Sequence, residues 1–202
     1  MAWRRVLSPG NASSRLRCIE INGTFYRTPT AVQCARWAAQ TPDGFVFSMK
    51  APRYLVQRRD LSGMAKEART FLQAALGLGN RLGPLLWQFD PRHPADAVAF
   101  SAFLEELPTT LEGIPLQHAL EVRNPAAWSE AMVEVARRHN VALVIEDSSE
   151  ALLHGDVTAD FVYARIKRSQ ARLKEGLLAP MQQRWAERAR RWSRGTGSGA
   201  WQ

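Results

Sequence analysis

The sequence predicts an α/β protein built on a parallel sheet, with a (β/α) barrel favoured over an open doubly wound sheet. Three observations carry this. Six short β-branched or apolar runs alternate with segments of helical period, and strict alternation calls for parallel strands joined by crossovers. The sequence contains no G-x-G-x-x-G, G-x-x-x-x-G-K-[ST] or G-x-S-x-G, which removes the commonest nucleotide-binding and hydrolase forms of the open sheet. Polar and charged residues recur at the C-terminal ends of the runs, where barrels of this kind carry their sites.

The first run is 18–22 (CIEIN). Residues two apart share a face of a strand, so Glu20 and Asn22 point one way while Ile19 and Ile21 point the other. Cys18 lies on the Glu20 face and reads as a packing residue. Thr28-Pro29 opens a helix that runs to about Gln40 and closes at Pro42-Asp43-Gly44. The second run, 45–50, ends on Lys50. Leu61, Met64, Ala65, Ala68, Phe71, Leu72, Ala75 and Leu76 then follow i, i+3, i+4 spacing up to Gly77. The third run, 84–89, presents Gln88, and 95–107 forms the next helix. The fourth helix-period segment is preceded by the fourth run, 117–123, where Glu121 and Arg123 share a face against Leu120 and Val122. Asn124 and Pro125 cap the helix of Trp128, Met132, Val135 and Ala136. The fifth run, 141–147, ends on Asp147. In the sixth, 161–167, Arg165 and Lys167 oppose Ile166. Leu177, Met181, Trp185, Ala189 and Trp192 lie on one face of a last helix.

Composition bounds the rest. With 202 residues, 46% hydrophobic and 23% charged, the chain suits one globular domain, taken as residues 1–194, followed by a flexible Gly/Ser-containing tail over 195–202. No apolar stretch is long enough to span a bilayer, and no h-region follows Arg4-Arg5, so a cytoplasmic location without membrane contact is expected. Cys18 and Cys34 make no disulfide framework. The net charge of +8 is uneven: residues 165–202 hold ten basic against two acidic side chains, which accounts for the whole excess. Such a basic segment is either a solvated helix face or a contact for an anionic partner such as nucleic acid.

Several motifs, in order, resemble one family. Glu20-Ile21-Asn22-Gly23-Thr24-Phe25-Tyr26-Arg27-Thr28-Pro29 resembles an E-x-N-x-T-F-Y-x-x-P motif. Trp37 with Thr41-Pro42 and Phe45-x-Phe47-x-x-Lys50 resembles a W…TP…F-x-F-x-x-K segment. Leu82-Gly83-Pro84-Leu85-Leu86-Trp87-Gln88-Phe89, Glu121-Val122-Arg123 with Trp128, then Asp147 and Phe161-Val162-Tyr163-x-Arg165, resemble its later blocks. The chain is on these grounds similar to the YecE-like family, also called domain of unknown function 72, from about Leu16 to Trp192. The resemblance implies a TIM-barrel-like fold and no established activity. The chain departs from it at both ends, lacking the I-G-T-S-G-W-like opening and the aromatic-rich closing strand. It also lacks the Thr-His many members carry near Val56-Gln57. A truncated or divergent member with an incomplete barrel of about six strands, the first and last missing, is therefore expected.

The strand ends hold three carboxylates (Glu20, Glu121, Asp147) and four cations (Lys50, Arg123, Arg165, Lys167). A site built from them would use Glu20, Lys50, Glu121 and Asp147 for acid/base work of a hydrolase or lyase type. Asn22, Tyr26, Gln88, Arg123, Trp128, Arg165 and Lys167 would line it. Arginine's planar fork suits an anionic small molecule bearing phosphate or carboxylate. Glu20 with Glu121 also fits the paired carboxylates of glycoside hydrolysis. No cofactor is required. Glu20, Glu121 and Asp147 are chemically admissible ligands for a divalent metal, but His93, His118, His139 and His154 occupy no strand end that would complete such a set. The competing readings are a nucleic-acid-binding barrel using the basic C-terminal segment, an inactive family member, and a purely structural ion-pair network.

Overall fold

The computed structural model describes residues 13–14, 16–94, 96–124, 128–147, 157–167, 170, 173 and 176–195. Parallel strands follow in chain order: β1 (Cys18–Ile21), β2 (Val46–Lys50), β3 (Leu82–Phe89), then, after the hairpin β4 (Thr110–Leu111) and β5 (Ile114–Pro115), β6 (His118–Val122). The run expected over 141–147 is divided. β7 (Ala142–Leu143) pairs with β6, whereas β8 (Ile145–Asp147) pairs with β9 (Ala164–Ile166). Val144 stands between the two, its N–H donating to the Leu120 carbonyl at 3.0 Å. The result is a five-stranded parallel sheet in the order β1-β2-β3-β6-β7 and a separate β8-β9 pair.

Six helices are described. α1 (Ala31–Ala39) starts at Thr30, whose side chain accepts from the Gln33 N–H, so Thr30 and not Thr28-Pro29 is its cap. α2 (Arg53–Val56) is a single turn, and α3 (Met64–Leu76) buries the apolar stripe seen in the sequence. α4 (Ala97–Glu106) is capped by Asp96, and α5 (Glu130–Arg138) by Ser129, which replaces the expected Asn124-Pro125 start. Ser129 wins because its side chain accepts from the Met132 N–H, satisfying an amide with no partner inside the helix. α6 (Ala179–Ser193) buries Trp185. The β4-β5 hairpin was not foreseen. It turns through Glu112 (φ 51°) and Gly113 (φ 77°), the positive pair that a tight hairpin turn demands. No described helix is long and apolar enough to cross a membrane.

Strand alternation divides the apolar residues into two cores. Phe47, Met49, Leu85, Trp87, Phe89, Leu120, Val122 and Leu143 pack with the helices in the larger one. Leu86, Ala119, Ala142 and Val144 form a smaller cluster on the opposite face, joined by Phe161 and Tyr163. Above this second cluster, toward the strand C-termini, the same face turns polar. Cys18, expected to pack there, is exposed.

The inner face is concave. If the strands lay flat, β1 and β9 would be about 24 Å apart over five steps of sheet spacing. Yet the Tyr163 hydroxyl reaches Glu20 at 2.8 Å and Ser48 at 2.7 Å. No ladder joins β9 to β1 among the described residues, so the expected barrel is seen as a curved, mostly parallel α/β sheet closed across its hollow by side chains. The tail expected over 195–202, apart from Gly195, and the segment before Ser13 lie outside the described residues.

One close approach fixes the helical layer. A Cβ on Gly77, which caps α3, would lie 2.2 Å from the Ala31 carbonyl oxygen and 2.8 Å from its carbon. Those are backbone atoms at the start of α1 and cannot step aside alone. Gly77→Ala is expected to destabilise the fold by at least about 1–3 kcal/mol, the usual cost of overpacking. Urea denaturation should show a lower midpoint with an unchanged slope. An unaltered midpoint would mean that α1 and α3 part freely.

Candidate functional site

Glu121 is the centre of the polar face. It is the penultimate residue of β6, opposite Gln88 in the β3-β6 register, and is 2% exposed. A carboxylate removed from water needs several donors to offset its desolvation. Gln88 Nε2 donates to its Oε1 at 2.6 Å, Lys167 Nζ reaches the same oxygen at 3.3 Å, and Arg165 Nη1 donates to Oε2 at 2.6 Å. Arg123 Nε lies 3.8 Å from Oε1.

Arg165 links this centre to β1. Its Nη2 donates to Glu20 Oε1 at 2.9 Å, while the Tyr163 hydroxyl donates to Glu20 Oε2 at 2.8 Å. Burial by itself would lower the pKa of the guanidinium, but Glu121 and Glu20 overcome it and hold the group above its ordinary value. The Tyr163 phenol is pushed far up, by burial first and by Glu20 second, and so stays a proton donor. On the far side Lys167 Nζ pairs with Glu146 Oε2 at 2.6 Å.

Lys50 ends β2 on the same face. Its Nζ donates to Gln88 Oε1 and sits 4.2 Å above the centroid of the Phe25 ring. Its backbone is tied down by Thr24, a buried residue whose hydroxyl lies 2.6 Å from the Lys50 carbonyl and 2.7 Å from that of Ile21. Burial, and after it the nearby Arg165, lowers the pKa of the amine. The cluster thus combines Glu20, Glu121 and Glu146 with Lys50, Arg123, Arg165 and Lys167, an excess of one positive charge.

The structure brings together Glu20, Lys50, Gln88, Glu121, Arg123, Arg165 and Lys167 from the predicted set. Asp147 is placed elsewhere. It lies on the opposite face of β8, where its Oδ2 accepts from the Trp185 indole N–H of α6 at 2.9 Å. Glu146 takes the inner position, because β8-β9 register sets it beside Arg165. The three carboxylates considered as metal ligands therefore do not meet. Among the described residues no group of three or more His, Cys, Asp or Glu side chains is arranged to hold a metal ion. Asn22 is exposed at the head of the 3-10 turn Asn22–Phe25. Tyr26 is 76% exposed and meets only the edge of Phe25 at 5.2 Å between ring centroids in the aromatic contacts described. Trp128 turns to the helix-side core and donates to the Val122 carbonyl at 2.8 Å.

Sequence reasoning missed Glu146, Tyr163, Ser48, Thr24 and Phe25. Phe25 and Thr24 sit inside the matched motif, and only their contacts with Lys50 reveal a role. Next to the cluster, the loops after β2 and β3 enclose a cleft of about 520 Å³ lined by Gln57, Arg58, Arg59, Asp90, Arg92, His93 and Pro94. Asn124, which follows Arg123, donates to the His93 carbonyl at 3.1 Å and joins the cleft to the end of β6.

Successive parallel strands with helices packed against them define an α/β protein on a mostly parallel sheet, with a charged cluster at the C-terminal ends of its strands. The family model described as "Protein of unknown function DUF72" matches residues 10–200, and the chain belongs to that family. A DUF72 family protein from Enterococcus faecalis V583 is similar in fold, with a TM-score of 0.70 at 17% identity over 95% of this chain and 83% of its own. A DUF72 family protein from Thermotoga maritima MSB8 gives a TM-score of 0.60 at 21% identity over 89% of this chain and 74% of its own. No curated protein matches the chain. At such identities the likeness extends to the fold and not to the site.

Proposed function

We propose that this protein binds a small anionic molecule, bearing carboxylate or phosphate, at the C-terminal rim of the strands. The observation that carries the reading is the contrast between its cations. Arg165 is engaged by Glu20 and Glu121, and Lys167 by Glu121 and Glu146. Lys50 instead has an amide oxygen and a phenyl ring, with no carboxylate in ion-pair contact among the described residues. Arg123 is only loosely placed on Glu121 and is 37% exposed. An anion docking between Lys50 and Arg123 would meet one cation without a carboxylate and one held only loosely, and would offset the cluster's excess positive charge. Glu121 acts through Gln88, whose carboxamide it orients toward the Lys50 amine. Acid/base work of a lyase or hydrolase type would fall to Lys50.

Inorganic phosphate, malonate and citrate should raise the melting temperature of the wild type. Lys50→Ala and Arg123→Ala should each weaken that response about tenfold or more, since a hydrogen bond to a charged group contributes about 1.5–3 kcal/mol. Arg36→Ala, on the exposed face of α1, should leave it unchanged. Equal responses in all four proteins, or no response to any anion, would reduce the cluster to a structural network.

A further inference from the structure

Four features of Lys50 are unlike those of a structural lysine. Its backbone is fixed at a strand end by Thr24 and by the Ala51 N–H, which donates to the Leu86 carbonyl at 2.8 Å. Its amine is directed by a single neutral acceptor, Gln88. One face of its head group rests on Phe25. Arg165 and Lys167 are taken up by Glu20, Glu121 and Glu146, whereas Lys50 has no carboxylate in ion-pair contact among the described residues. Set half-buried beside the Arg165 guanidinium, such an amine can serve as a nucleophile in its neutral form.

We infer that Lys50 forms an imine with an anionic carbonyl compound, a 2-oxo acid or a phosphorylated aldehyde, whose charged end lies toward Arg123. This deepens the anion-binding reading above and rests on it for the orientation of the substrate. One carboxamide and one carboxylate oxygen separate the Lys50 amine from Arg123, through Gln88 and Glu121. A small molecule would have to lie over Gln88 and Glu121 to reach both.

In the step, the neutral amine attacks the carbonyl carbon, a C–N bond forms and the C=O π pair moves to oxygen. Both amine hydrogens end on that oxygen, which leaves as water as the C=N bond forms. Amine and carbonyl thus become imine and water with no redox change. Protonation of the imine by solvent restores a positive charge, which the Phe25 ring and the Gln88 carbonyl can accept where they held the ammonium. Burial and the neighbouring Arg165 favour the neutral amine that begins the step.

The sequence contains only four lysines, Lys50, Lys66, Lys167 and Lys174, which makes labelling easy to assign. The full chain would be incubated separately with pyruvate and with glyceraldehyde 3-phosphate in the presence of cyanoborohydride, whose hydride reduces the imine to a stable secondary amine. Intact mass and peptide mapping should show one reduced adduct, at Lys50, at least tenfold above the exposed Lys66. Preference for pyruvate or for the phosphorylated aldehyde distinguishes the two sources of negative charge. Lys50→Arg should abolish the adduct while keeping the native melting transition, and Lys50→Met guards against misfolding of the first variant. Arg123→Ala should slow labelling without moving it to another lysine. Equal labelling of Lys50 and Lys66, or none at Lys50, overturns the inference. If Lys50 stays unlabelled while anion stabilisation still depends on Lys50 and Arg123, the imine falls and the anion site stands. If Lys50 is labelled but no anion stabilises the protein and Arg123→Ala has no effect, the amine chemistry stands and the anion site falls.

Discussion

Glu121→Leu is expected to lower folding stability by about 3–5 kcal/mol, the range for breaking a buried ion pair from one side. The loss comes less from an attraction removed than from charges stranded. Arg165 would keep only Glu20, and Lys167 only Glu146, with their side chains 15% and 31% exposed to solvent. Gln88 would lose its acceptor and with it the orientation of the amide that holds Lys50. Glu121→Gln should recover part of the loss, because it keeps an acceptor oxygen but aims an NH₂ group at cations. The test is urea denaturation of Glu121→Leu, Arg165→Met and the double variant. Residues in one network couple, so the double variant should be more stable than the sum of the single losses predicts. Strict additivity, or a Glu121→Leu cost below about 1 kcal/mol, would show that water reaches the cluster and carries its charges.

Trp87→Ala should cost a similar amount, about 3–5 kcal/mol, for a different reason. Trp87 is fully buried on the helix side of β3, edge-on to Phe71 and Phe103. Its indole N–H donates to His118 Nδ1 at 3.1 Å, so the His118 proton sits on Nε2 and is donated to the Pro108 carbonyl at 2.9 Å. The imidazole is therefore held neutral, and burial keeps its pKa below the ordinary value of 6.5. The sign of the pH effect follows. As pH falls below 6.5, the unfolded chain binds a proton that the native imidazole refuses, so stability present above that pH is lost on acidification. His93, also buried with a lowered pKa, acts in the same direction. The wild-type urea midpoint should fall between pH 7.5 and pH 5.5, and His118→Gln should show a shallower fall. A wild-type midpoint that is flat across this interval would show that both rings charge without unfolding. Trp87→Ala should lower stability at both pH values, since it removes packing as well as the donor.

The residues by themselves determined the strand–helix alternation and the family, and they named Glu20, Lys50, Gln88, Glu121, Arg123, Arg165 and Lys167 for the rim together with Asp147, Asn22, Tyr26 and Trp128, which do not join it. These follow from local rules: a period of two along a strand, a period near 3.6 along a helix, and short motifs in order. Helix starts were less legible. Thr28, Asn124 and their prolines looked like caps, but Thr30 and Ser129 hold the amides, because a cap is decided by which oxygen meets a free N–H and not by composition. The choice between Glu146 and Asp147 could not be made locally either. Residues 141–145 are apolar throughout, so no alternation tells inner from outer, and two adjacent carboxylates of equal chemistry follow them. Pairing with β9 decided it, sending Glu146 to Lys167 and Asp147 to Trp185. Tyr163 and Ser48 met for the same reason, being 115 positions apart in sequence and 2.7 Å apart in the fold. Curvature of the sheet brings such groups together, and curvature is a sum over all strands that no single segment contains.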